Sequence, residues 1–326
     1  MMRENWKTTG MVFLFGLVLV LMPVLSHAQE YPSKPINVLI PTTPGNGQDV
    51  ITRALLEDAK KLINQPLIPV NKPGGGGTIS LVALAKEKPD GYTIAMTSTL
   101  PLIIIPQLRK MLYSMDDFVP ILIFSEPSAA IAVRADSPWK TLKDLVEYAR
   151  KNPRKIRCAV GSGTGNVKEI AMRVIAQKEQ VDWIYVNYGE GDSPGLTDLL
   201  GGHIEVLSAG PVWVPHVQAG KLRLLASYMR KKLSMFPDVP TLQDLGYGWC
   251  LDLPMAFVAP KGTPLPIIKK LDSVFRKAAE EPGFKQTLKN LNYETSYYNS
   301  EDTRKLYEEN LKVWADAIKR FNIPKE

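Results

Sequence analysis

Residues 36–63 read INVLIPTTPGNGQDVITRALLEDAKKLI, three pieces in succession. Ile36 to Ile40 is a short apolar run of the kind that forms a strand covered on both faces. Pro41-Thr42-Thr43-Pro44-Gly45-Asn46-Gly47-Gln48-Asp49 is rich in turn residues, and Val50 to Ile63 is an amphipathic stretch with helical character. Strand, glycine-containing loop and helix make one βα unit. The unit recurs downstream as Leu67 to Val70, Ile79 to Lys86 and Tyr92 to Thr97. Alternation of this kind predicts a parallel, doubly wound sheet.

The pattern restarts after Lys155. Ile156 to Val160 reads as a strand, Lys168 to Lys178 as a helix, Trp183 to Val186 as a strand and Gly195 to Leu200 as a helix, so a second α/β lobe begins there. Ala129 to Arg134 and Leu253 to Ala259 read as strands that cross between the lobes, the second ended by Pro260-Lys261-Gly262-Thr263-Pro264. The expected organisation is therefore a discontinuous first lobe, residues 29–128 plus 254–326, and a second lobe, residues 129–253. Leu265 to Glu280, Phe284 to Leu291 and Ser300 to Phe321 have helical spacing, with Ser300 a candidate N-cap.

At the N-terminus, Arg3 and Lys7 precede an apolar run from Met11 to Leu25 and the small-residue pattern Ser26-His27-Ala28. These are the three regions of a secretory signal. The run is about 15 residues where a membrane span needs about 20, so cleavage after Ala28 is expected in preference to an anchor. Removing 28 of the 326 residues leaves 298, enough for two lobes, in a soluble periplasmic protein. The formal charge of +7 is spread along the chain, with no basic stripe interleaved with aromatics, so nucleic acid is not an expected partner. A modest positive field would help attract an anion.

Three loops follow expected strands and precede expected helices: residues 41–49, Gly161-Ser162-Gly163-Thr164-Gly165-Asn166, and Tyr188-Gly189-Glu190-Gly191-Asp192-Ser193-Pro194. In an open α/β sheet this position is the ligand crevice at the carboxyl ends of the strands. Helix N-termini there carry unpaired N–H groups and partial positive charge, suited to carboxylate or phosphate. A dinucleotide fingerprint is not met, because Asn166 stands where its last glycine would be, and Gly74 to Gly77 lacks the Lys-Ser/Thr of a phosphate loop. No G-x-S-x-G elbow occurs. His203 and His216 read as turn or surface residues, with no ligand-like spacing to Cys158 or Cys250, which are expected as buried free thiols. Neither catalysis nor a metal or other cofactor is expected. Trp213 and Trp249 are the nearest candidates for a sugar-stacking platform.

The chain resembles the tripartite tricarboxylate transporter receptor family, also called the Bordetella uptake gene family. The residues that carry the resemblance are Tyr31-Pro32-Ser33-Lys34-Pro35-Ile36, Pro44-Gly45-Asn46-Gly47-Gln48-Asp49-Val50, Val70-Asn71-Lys72-Pro73 with Gly74 to Gly77, and Pro89-Asp90-Gly91-Tyr92-Thr93. Tyr188-Gly189, Thr197 to Ile204, Phe236 to Thr241 and Ala259 to Pro264 continue it in order. The resemblance implies a type II periplasmic-binding-protein fold, two doubly wound lobes joined by two crossing strands. It also implies a monomeric receptor that closes on a small carboxylate and delivers it to a permease of one large and one small membrane subunit. A sensor co-receptor, or a periplasmic enzyme using the same cleft, is the alternative.

Family ligand contacts map by resemblance onto Thr42 to Asp49, that is Thr42, Thr43, Gly45, Asn46, Gly47, Gln48 and Asp49, then onto Ser98 and Thr99, and onto Ser162, Gly163 and Thr164 beside Gly161. Gly191 and Ser208 are further candidates, and Lys168 is one if its side chain turns inward. Ser162 and Thr164 in one lobe, with Thr43 and the Gly45 to Gly47 backbone in the other, are expected to form two jaws. Departures exist: Thr42-Thr43 and Asn46 replace an aromatic and a glycine, Lys168-Glu169 replaces a His-Leu pair, and Ser208-Ala209-Gly210 replaces a polar position.

Overall fold

A computed structural model describes residues 31–161, 166–188, 191–250 and 253–325. In chain order its elements are β1 (Ile36–Ile40), α1 (Gly47–Ala59), β2 (Leu67–Asn71), α2 (Thr78–Leu84), β3 (Thr93–Thr97), α3 (Ile105–Leu108), β4 (Phe118–Pro127), β5 (Ala130–Arg134), α4 (Leu142–Lys151), β6 (Arg157–Ala159), α5 (Val167–Glu179), β7 (Ile184–Val186), α6 (Ser193–Leu200), β8 (Val206–Ala209), α7 (Val214–Gln218), β9 (Leu222–Ser227), β10 (Met255–Pro260), α8 (Leu265–Glu280), α9 (Pro282–Leu291), β11 (Tyr293–Asn299) and α10 (Ser300–Arg320).

The strands form two sheets, ordered β11-β4-β10-β3-β1-β2 and β7-β6-β8-β5-β9. β1 pairs in parallel with β2 and β3, and β6 with β7 and β8, as strand-helix alternation dictates. Elsewhere the sheets are mixed. β10 runs antiparallel to both β3 and β4, β11 to β4, and β5 to both β8 and β9. The parallel pattern fails at β5 and β10, which enter from the other sheet and take their direction from the crossing, and at β11, which α9 delivers to the sheet edge. β4 leads into β5 with only Ser128 and Ala129 between them, and β10 brings the chain back.

Every residue of β3 and β10 is buried, the threonines at both ends of β3 included, as expected of strands covered on both faces. Phe257 of β10 lies 4.8 Å from Phe124 of β4 and 4.5 Å from Phe275 of α8, ring centre to ring centre. Phe124 also meets Phe284 of α9 edge-on at 6.3 Å. This cluster fastens α8 and α9 to the first sheet through two tilted ring pairs and one edge-on pair. Asp58 on α1 accepts a hydrogen bond from the Phe284 backbone N–H at 3.0 Å, so one helix supplies a cap for another. The N-cap of α10 is Asn299, whose side chain accepts from Asp302 N at 3.0 Å. The expected cap Ser300 instead donates to the Pro120 carbonyl at 2.6 Å and ties the helix to β4.

α10 also reaches the second sheet's side of the molecule. Trp314 packs edge-on against Trp249 at 6.4 Å, and Arg320 donates to Gln177 of α5. Trp213 is fully buried against Phe236. Trp213 therefore offers no open platform, whereas Trp249 is half-buried and lines a separate surface cavity of about 360 Å³ with Lys312 and Asp316. Cys158 is buried in β6 and Cys250 is half-buried. Among the described residues, no helix is long and apolar enough to cross a membrane.

Candidate functional site

The loop from Thr42 to Asn46 is fixed by the residue that follows it. Asp49, 2 % exposed, accepts from the Gly45 N–H at 2.8 Å, from Asn71 Nδ2 at 2.8 Å and from Arg53 Nε at 2.9 Å. Burial alone would raise its pKa, but hydrogen bonds from Asn71, the Gly45 amide and Arg53 together outweigh it and hold the carboxyl below its ordinary value. Asn46 is the N-cap of α1 and accepts from Gln48 N at 3.0 Å. Gly45 has φ of +84°, a conformation glycine adopts without penalty. On the second sheet, Asn166 repeats the arrangement: it caps α5 and accepts from Lys168 N at 2.9 Å and Glu169 N at 3.2 Å.

These two helix starts face one cleft of about 340 Å³. Gln48, Ser98 and Leu100 line it from the first sheet's side, joined by Tyr293 of β11. Asn166, Val167 and Lys168 line it from α5, with Asp192, Gly210 and Pro211 from the turns beside it. Pro127, Ala129 and Leu253 belong to the crossings. The cleft size is in the range of small-molecule sites.

Lys168 turns inward. Its ammonium pairs with Asp192 Oδ1, and Asp192 Oδ2 accepts from the Gly210 N–H at 2.8 Å. Asp192 precedes α6 at the N-cap position but makes no cap bond to it, because its carboxylate is held across the turn. The pair nests on Gly161, whose φ is +78°: a Cβ there would lie 3.1 Å from Asp192 Oδ1 and 3.3 Å from Lys168 Nζ. Tyr293 faces the α1 start, since a Cβ on Gly47 would lie 3.7 Å from its hydroxyl. Burial, and then the nearby Asp192 charge, raise the Tyr293 pKa, so the phenol stays a neutral donor.

Of the candidate residues read from the sequence, Gln48, Ser98 and Lys168 line the cleft. Thr43, Gly45 and Asn46 are exposed on the neighbouring loop, and Gly47 and Gly161 back onto cleft residues. Thr42 Oγ1 is buried with no hydrogen-bond partner among the described residues. Gly191 has φ of +81° and open space around it. Asp49 serves the loop from inside, Thr99 is buried, and Ser208 is buried and donates to the Lys168 carbonyl at 3.0 Å. None of those three lines the cleft. Ser162, Gly163 and Thr164 lie outside the described residues. Sequence reasoning missed Asp192, although it quoted the loop that holds it, and missed Tyr293, for which an isolated tyrosine gives no signal.

Two α/β units on separate sheets, joined by crossing strands and meeting at a cleft lined by helix starts from both, define the two-lobed fold of periplasmic solute-binding proteins. A solute-binding protein from Polaromonas superposes on this chain with a TM-score of 0.80 at 28% identity, over 89% of this chain and 99% of that one. The periplasmic binding protein BugD superposes with a TM-score of 0.70 at 27% identity, over 91% and 100%. The chain belongs to the tripartite tricarboxylate transporter family receptors, whose defining pattern matches residues 51–323. A Cupriavidus necator relative, described as the UPF0065 protein in the gbd 5' region, is 34% identical over 312 residues, covering 95% of this chain and 94% of its own. These families and structures are of solute-binding proteins, which bind and release and do not catalyse.

Proposed function

We propose that this chain is an exported receptor that captures a small organic carboxylate in the cleft and delivers it to a membrane permease of one large and one small integral subunit. Residues 1–28 act as a cleaved signal, and residues 29–128 with 254–326 form one lobe around which residues 129–253 close as the other. The observation that carries this reading is that the first turns of α1 and α5, from different sheets, line one cleft and bring two Asn-capped helix N-termini to it. Such N-termini favour an anion through their free N–H groups and aligned peptide dipoles. A ligand gripped from both sides stabilises the closed state only through contacts that the open state lacks. Ser162 and Thr164 supply hydroxyls to the second jaw.

The test is a thermal-shift screen of the purified protein against organic acids, aromatic acids, amino acids and sugars. A ligand at a hundredfold excess over its Kd stabilises the native state by about 2.7 kcal/mol, well within detection. Stabilisation by carboxylates is expected. Hits confined to neutral sugars would sink the assignment.

A further inference from the structure

We infer that the cleft is built for a carboxylate carrying a single negative charge on an apolar body, and that Asp192 sets this charge limit. The inference rests on the carboxylate reading above and narrows it. Among the described residues that line the cleft, Lys168 and Asp192 are the two with formal charge, and they are paired with one another. The lysine charge is thus already balanced before any ligand arrives. What remains is the partial positive charge of the α1 and α5 N-termini, about half an elementary charge each. Together they complement one carboxylate.

Among the described lining residues, no second cation is available for another carboxylate, which would have only neutral groups to pair with. The rest of the described lining has an apolar part, from Leu100, Pro127, Val167, Pro211 and Leu253, and the neutral polar groups of Gln48, Ser98, Asn166 and Tyr293. Against the apolar side chains a charge loses its hydration without a partner, and beside Asp192 it meets a like charge. Asp192 cannot readily swing away, since the Gly210 amide holds Oδ2 at 2.8 Å and its side chain is only 9 % exposed. Lys168 is more open, at 21 %, and keeps ammonium protons beyond the one given to Asp192. Asp192 therefore acts as a specificity residue: it orients the lysine and at the same time discounts its charge.

The experiment is calorimetric titration of the purified protein with two pairs of acids matched in skeleton, hexanoate with adipate and benzoate with terephthalate. In the parent protein, at least one monoacid is expected to bind about tenfold or more tightly than its diacid, the effect of an unmatched charge at a partly dry site. Asp192→Asn keeps the shape, removes the balancing charge, and is expected to bring the ratio down about tenfold by strengthening the diacid. Diacids that bind as well as or better than monoacids in both pairs would overturn the inference while leaving the carboxylate reading intact. A mono-to-diacid ratio unchanged in folded Asp192→Asn, checked by circular dichroism, would remove Asp192 from the role. If the variant does not fold, the parent ratios still decide. If none of the four acids binds and their neutral counterparts hexanol or benzamide do, the carboxylate reading itself fails and this one with it.

Discussion

Replacing Asp49 with alanine tests whether the first-sheet half of the cleft is held by one carboxylate. The substitution removes three hydrogen bonds to a charged acceptor, from the Gly45 amide, Asn71 and Arg53. Bonds of that kind contribute about 1.5 to 3 kcal/mol each. The net loss is smaller than their sum for three structural reasons. Asn71 Nδ2 also donates to the Thr42 carbonyl at 2.8 Å, Arg53 still reaches Asn71 Oδ1 at 2.7 Å, and the arginine side chain is 41 % exposed, where solvent screens the pair. A destabilisation of about 2 to 3 kcal/mol follows, which for a protein of this size lowers Tm by about 3 to 5 °C. The sign of the pH dependence is fixed by the depressed pKa. The Asp49 contribution is complete above the unfolded-state value, about 3.9, and is lost as pH falls through the lower folded value. Scanning calorimetry of parent and variant between pH 7 and pH 3 should show a gap that holds to about pH 5 and closes in more acid solution. A gap below about 2 °C at pH 7, or one that stays constant into acid, would refute the assignment of Asp49 as the loop's anchor.

Gly161→Ala should destabilise the fold by about 1 to 2 kcal/mol, because an L-residue at positive φ is strained. Its methyl would also crowd the Lys168–Asp192 pair, so affinity for a ligand found in the screen should fall as well; parent-like urea midpoint and parent-like affinity together would contradict the nesting described. Thiol titration of the native protein should show one accessible cysteine and two in denaturant. Burial pushes the Cys158 thiol far above its ordinary range while Cys250 is half-buried, and two thiols reacting quickly in the native state would show that β6 is not the closed strand described.

The elements that sequence reading placed well are those whose burial is uniform. β1 and α8 fall on the residues expected, and α5 and β10 within two residues of them, because strands covered on both faces and amphipathic helices leave unambiguous patterns. β4 and β11 were not legible. β4 contains Pro120, which ordinarily argues against an interior strand, yet here the proline lies next to a register shift opposite Phe257 and Val258. β11 is mostly polar, Tyr293 to Asn299, and its pairing with β4 depends on where α9 delivers the chain. The same limit applied to the site. Helix-start loops announce themselves through Gly, Asn and Ser, so Gln48 and the α5 start were found. Asp192 mattered only because the turn after β8 presents the Gly210 amide and the α5 start presents Lys168, and neither relation is local in sequence.

The position of β10 has a consequence for how the chain reaches its native state. It occupies the middle of the first sheet, between β3 and β4, yet it follows the entire second sheet in sequence. Until residue 260 is available, β3 and β4 have no shared neighbour, and two apolar strands present unpaired edges to one another across a gap. The long separation between partners predicts slow closure of the sheet, since the loop entropy must be overcome before the central pairings form. A chain emerging N-terminus first therefore cannot complete its first sheet early. Until then its exposed strand edges are the segments most prone to pairing with other chains.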